Sequence, residues 1–194
     1  MSRLEQLHLL LRITHTQEIA RRYFVVNGFD GALTMLGLIT GFVVSTPADL
    51  NVVINVCLAA AIALGMSGMS SAYVSEVAER RRALDRLEAA MVADLKASAH
   101  GEAARWVPWL IPLVNGMAPL VISLLILLPL WLAEAGVPFP GAPLHVAIGV
   151  ALVLIFLLGV FLGRIAEISW LRSGIQTLLV AVITAALIYL ITGS

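Results

Sequence analysis

Charge is scarce in this chain. Asp, Glu, Lys and Arg make up 12% of its 194 residues, about half the share of an average soluble domain. That scarcity argues against a free-standing soluble domain. The formal net charge is zero, which gives no basic footprint for nucleic acid. Cysteine is also nearly absent. Cys57 stands alone in an apolar run, so no intrachain disulfide can form, and the residue reads as a small packed hydrophobe. The motifs of soluble enzymes are missing too. No Walker loop, dinucleotide fingerprint, CxxC or HExxH occurs, so no enzyme and no permanently bound cofactor is expected. A cleavable leader is not evident either. The first 22 residues, "MSRLEQLHLLLRITHTQEIARR", lack a long apolar core and a small-residue cleavage site. They are expected to form an amphipathic helix (1–22) on the cytoplasmic membrane surface.

Long apolar runs are abundant. Hydrophobic residues make 60% of the chain, and the mean hydropathy is +0.99. Crossing the hydrocarbon takes about 20 apolar residues. Five stretches qualify, near 23–45, 51–73, 107–132, 143–163 and 173–192. The expected fold is therefore an all-α integral membrane protein of five transmembrane helices, with one domain over 23–194. The turn-rich run "EAGVPFPGAP" (134–143) closes the third span, because its prolines and glycines cannot continue a helix.

Basic residues are missing from one side of this arrangement. Arg3, Arg12, Arg21 and Arg22 precede the first span. Arg80, Arg81, Arg82, Arg86, Lys96 and Arg105 lie between spans two and three, and Arg164 and Arg172 between spans four and five. All 12 basic residues thus fall on one side. The positive-inside rule makes that side cytoplasmic and puts the C-terminus outside. The connection 74–106 has no proline and is rich in Ala, Leu, Glu and Arg, which are strong helix formers. Span two is expected to run on as a cytoplasmic helical arm, ending near residues 97–101.

Ionisable residues within a span are functional candidates by default. Asp30, inside "NGFDGALTMLGLITGF" (27–42), is the clearest. On a helix starting near Tyr23 it lies about 10 Å from the cytoplasmic end. Asp30, Thr34, Gly37 and Gly41 share one small, polar face, suited to close approach of another helix. Asp30 as an N-cap, or paired with Arg21 or Arg22, are the structural alternatives. On span two, Met66, Met69, Tyr73 and Glu76 share a stripe. Met69 and Met66 lie about 6 and about 10 Å deep, close to the depth of Asp30. A carboxylate oxygen with a thioether sulfur suits a borderline divalent metal better than Mg²⁺ or Ca²⁺. Alternatively, the methionines only fill gaps in the bundle. Glu76 and Glu79 sit at the cytoplasmic mouth, where they either gather metal or pair with arginines such as Arg80 at i,i+4. Asp85, Glu88, Asp94, His100 and Glu102 follow along the arm. Span three carries Pro108, Pro112, Pro119 and Pro129, with Asn115 beside Gly116. Its prolines free backbone carbonyls, which are tolerated where they line a cavity or are buried in protein. Asn115, with Thr34 and Tyr73, is a candidate for the pathway. His145 opens span four and reads as interfacial, with a part in proton transfer as the alternative.

Three stretches resemble the vacuolar iron transporter family. "NGFDGALTMLGLITGF" looks like its Asp-Gly-x-x-Thr first helix. "MSSAYVSEVAERR" (69–81) is similar to the Tyr-Val-Ser end of its second. "SWLRSGIQTLLVAVITAALIYLITG" (169–193) is close to its last, which opens with Arg-Ser-Gly. The resemblance implies a homodimer with a metal path between the first two helices of each subunit, and Asp30 matches the family's metal-binding aspartate. Two departures stand out. Met69 sits one position closer to Tyr73 than in the family pattern, so either Met66 or Met69 is the sulfur ligand. Ala72 occupies the family's glutamate position, and Glu76 is expected to replace the missing carboxylate. The implied function is a carrier that moves Fe²⁺ or Mn²⁺ out of the cytoplasm, by proton antiport. Metal ions, protons and the lipid bilayer are then its partners, and a prokaryotic plasma membrane fits its brevity. A non-transporting scaffold or metal sensor acting through the arm is the alternative.

Overall fold

The structure, a computed structural model, describes residues 16–45, 49–92 and 98–193. All five expected spans are helices: α1 (Thr16–Val44), α2 (Leu50–Met91), α3 (Ala99–Glu134), α4 (Pro143–Ile165) and α5 (Trp170–Thr192). Each is long and apolar enough to cross a membrane, and no strand occurs among the described residues.

The helix boundaries refine the sequence reading. Residues 1–15 of the expected surface helix lie outside the described residues, and residues 16–22 are the first turns of α1 itself. No Pro or Gly interrupts 16–27, so nothing breaks the helix before the span. Asp30 is therefore mid-helix, which removes the N-cap alternative. Two helical pieces are described within the expected arm. α2 runs for 42 residues, about 63 Å, roughly twice the hydrocarbon thickness. It stops at Met91, short of the expected 97–101, where Val92 turns left-handed (φ 51°) and its N–H bonds the Glu88 carbonyl. Residues 99–106 then belong to α3, continuous with span three.

Successive helices alternate in direction. Glycine contacts set the register. Gly31 of α1 lies against Pro119 of α3, and Gly65 of α2 lies against Gly116 and Leu120. Gly28 faces Ile122 and Leu158, Gly37 faces Ile188, and Gly163 faces Ser173. This alternation brings Arg21, Arg22, Arg80, Arg81, Arg82, Arg86, Arg105, Arg164 and Arg172 to a common end of the bundle, called here the arginine end. The 135–142 loop marks the other, the loop end.

α3 is the spine. It packs against α1, α2 and α4, whereas α1 and α2 touch each other least of all the packed pairs. Towards the loop end, α1, α3 and α4 share a dry core of Met35, Leu36, Ile39, Ile126, Leu127, Leu130, Ala147 and Ala151, all fully buried. Lipid tails are as apolar as these side chains, so close packing rather than transfer from water holds them together. α5 is the least buried helix, with Leu179, Ile183, Leu187 and Leu190 exposed in the manner of a lipid-facing surface.

Candidate functional site

The polar residues of the bundle gather in the arginine-end half. Close backbone approach makes this possible. A Cβ on residue 31 would lie 2.7 Å from the Pro119 Cα and 2.8 Å from its carbonyl oxygen. One on residue 116 would lie 2.5 Å from the Gly65 carbonyl oxygen and 2.9 Å from the Met69 Cβ. Glycine at these positions lets α1 and α2 press against opposite sides of α3, as small residues do in membrane helix packing.

Asp30 projects from α1 at the level of this clamp, one residue before Gly31. In the single chain its side chain is exposed. No ion pair to Arg21, Arg22 or any other described residue engages it. Thr34 Oγ1 donates to the Asp30 backbone carbonyl at 2.8 Å, which turns its hydroxyl back onto the helix. Along the same face, Gly37 meets Ile188 of α5 at 3.3 Å, and Gly41 has nothing within 4 Å.

The register shared through α3 puts Asp30 level with the Gly65–Met66 turn of α2. Met66 is exposed. Met69, one turn nearer the arginine end, is half-buried against Gly116. Both methionines, with Ser70, Tyr73, Trp109, Pro112 and Leu113, line a groove of about 510 Å³ between α2 and α3. Tyr73 and Trp109 close its arginine end with ring centroids 4.9 Å apart. Asp30 and the methionines thus share a depth but are held apart by α3 within one chain. Among the described residues, no group of three or more His, Cys, Asp or Glu is placed to hold a metal ion.

Glu76 is buried, and its Oε1 accepts from Arg80 Nε at 2.6 Å. That is the i,i+4 pair anticipated as the structural alternative. Glu79 is exposed on the neighbouring face, beside Arg82 and Arg86. His145 is exposed at the start of α4. Asp94 lies outside the described residues, as do the side chains of His100 and Glu102.

Asn115 is buried and joins three helices. Its Oδ1 accepts from Asn27 Nδ2 of α1. Its Nδ2 donates to the Gly68 carbonyl of α2 at 2.6 Å. Asn27 Nδ2 also donates to the Tyr23 carbonyl at 2.9 Å. Asn27 was not singled out from the sequence. The signal was present, since it is a polar residue inside a span, one turn before Gly31.

The sequence profile of the VIT family matches residues 76–193. An uncharacterized protein of Methanocaldococcus jannaschii, MJ0645, is 30% identical over 177 residues, covering 90% of this chain and 89% of that protein. No solved structure matches the chain.

Proposed function

The chain belongs to the VIT family, an integral membrane family of metal-ion transporters, and from that premise we propose that it carries Fe²⁺ or Mn²⁺ out of the cytoplasm in exchange for protons. The observation that carries the proposal is Asp30. A carboxylate in mid-helix, at hydrocarbon depth and without an ion-pair partner among the described residues, is costly unless a cation or proton occupies it. The thioethers of Met66 and Met69 lie at nearly the same depth, and sulfur beside oxygen favours a borderline transition metal over Mg²⁺ or Ca²⁺.

The metal path forms in a homodimer. Asp30 on α1 and Met66 on α2 are both open in one subunit, and a second copy packed on these two helices would cover them. Thr34 and Tyr73 belong to the path or its walls, whereas Asn115 is engaged in the helix contacts behind them. Glu79, and Glu76 on release from Arg80, gather the ion at the arginine end, which the positive-inside rule makes cytoplasmic. Protonation of Asp30 from the far side removes its charge and lets the metal go. Coupled in this way, an inward proton gradient drives metal outward.

Proteoliposomes with an imposed pH gradient test the proposal. Fe²⁺ or Mn²⁺ should move against the direction of proton flow, and dissipating the gradient should slow it. A scaffold or sensor would show no flux. Metal-dependent thermal stabilisation then separates the two rivals, because a specific ligand raises folded-state stability by mass action. A sensor is stabilised by metal without flux, and a scaffold shows neither.

A further inference from the structure

We propose that Asn115 is a positioning residue for metal binding: it ties α1 to α2 across α3 and thereby sets the spacing between Asp30 and the methionine turn. The proposal rests on the transport reading above, and no contact between Asn115 and the ion is invoked.

Four observations carry it. First, α1 and α2 barely touch directly, so their separation is fixed through α3. Second, the Asn115 side chain is buried and uses both ends of its amide, accepting from Asn27 of α1 and donating to Gly68 of α2. Third, the two anchors flank the candidate ligands. Asn27 precedes Asp30 by three residues, and Gly68 is adjacent to Met69. Fourth, the local backbone is built for this contact. Pro119 has no N–H, so the Asn115 carbonyl lacks its usual helical donor. A Cβ at residue 68 would lie 3.3 Å from that carbonyl oxygen and 3.3 Å from Asn115 Nδ2. Glycine at 68 admits both groups and leaves its own carbonyl open to the amide.

An apolar side chain of similar size, as in Asn115→Leu, cuts both ties. Transmembrane hydrogen bonds average about threefold each in an equilibrium constant. Loss of two predicts about a tenfold rise in the KM for Fe²⁺ or Mn²⁺. Transport at saturating metal should stay within about twofold. Asn27→Leu cuts one tie and should raise KM about threefold. The double variant should match Asn115→Leu alone, since the Asn27 tie has no partner left. A role confined to stability would lower the yield of folded protein without changing KM. Unchanged KM in both single variants overturns the proposal, and so does a double variant whose effect is the product of the two. Asn27→Leu keeps the test open if Asn115→Leu does not fold.

The outcome is separable from that of the transport reading. If wild-type protein moves no metal, the reading fails, and the tie is read from distance alone. Nitroxide labels at Phe24 of α1 and Val74 of α2, both exposed, are placed in a Cys57→Ala background. Their distance distribution should shift or broaden in Asn115→Leu, and an unchanged distribution overturns the tie.

Discussion

The two halves of the bundle are built on different principles. The loop-end half is dry and interlocked: Ile126, Leu127 and Leu130 of α3 sit fully buried between Leu36 and Ile39 of α1 and Ala147 and Ala151 of α4. The arginine-end half holds the mid-helix carboxylate, the asparagine bridge, the glycine contacts and the groove with two thioethers. In the first half, side chains fill space. In the second, backbones approach because side chains are absent, and polar groups meet partners or remain open. A carrier needs both: a rigid body, and a region where a cation can be bound and the packing can change.

The sharpest way to break this contrast is to add volume at a backbone contact. Gly31→Leu forces a side chain into the Pro119 backbone, where even a Cβ has only 2.7 Å. Overpacking of this kind costs about 1–3 kcal/mol or more, and little folded protein should be recovered by size-exclusion chromatography. Gly149→Leu in α4, with nothing within 4 Å of a Cβ there, is the matched control and should behave as wild type.

Removing volume from the loop-end core should separate stability from function. Ile126→Ala leaves a cavity in a fully buried site. Lost packing costs about 1–3 kcal/mol, at the low end for core truncations because transfer into lipid contributes little. The melting temperature should fall while the KM for metal stays the same. A changed KM would show that the two halves are coupled more tightly than the packing implies.

Substitution of the sulfurs probes the other half. Met66→Leu and Met69→Leu conserve volume, so stability should change by less than about 1.5 kcal/mol. A ligand thioether, however, should be missed. The variant that loses it should bind Fe²⁺ about tenfold more weakly, equivalent to about 1.4 kcal/mol, in a titration of purified protein. Met66 is the open side chain at the Asp30 level, and Met69 is the one packed on Gly116. The titration therefore distinguishes ligand from filler.

The smallest effect is expected at Ser123. Its hydroxyl is fully buried and finds no hydrogen-bond partner. Ser123→Ala removes that unsatisfied group and should leave the melting temperature unchanged or slightly raised, by no more than about 1 kcal/mol of stability.

Much of this was legible in the sequence. Five apolar runs and the one-sided arginines specify the spans and their alternation, because hydrocarbon thickness and charge act on local composition. The depth match between Asp30 and Met66 also follows from counting residues along two antiparallel helices. What counting cannot supply is which helix stands between them. Placing α3 there depends on Gly31, Gly65 and Gly116 meeting across three helices, a tertiary match that no single segment encodes. The end of α2 is less legible, for a similar reason. Nothing in the composition near Met91 marks a stop, and Val92 is an unfavourable residue for a left-handed turn. Glu76 illustrates the opposite case, since its pairing with Arg80 follows from i,i+4 spacing alone.

The central claim is that metal crosses the membrane through the arginine-end half at Asp30. The most direct test is metal flux in proteoliposomes carrying Asp30→Asn, a substitution that keeps the shape and removes the charge. The account predicts a folded protein with wild-type melting behaviour and no Fe²⁺ or Mn²⁺ flux above empty liposomes. Flux at the wild-type rate would contradict it.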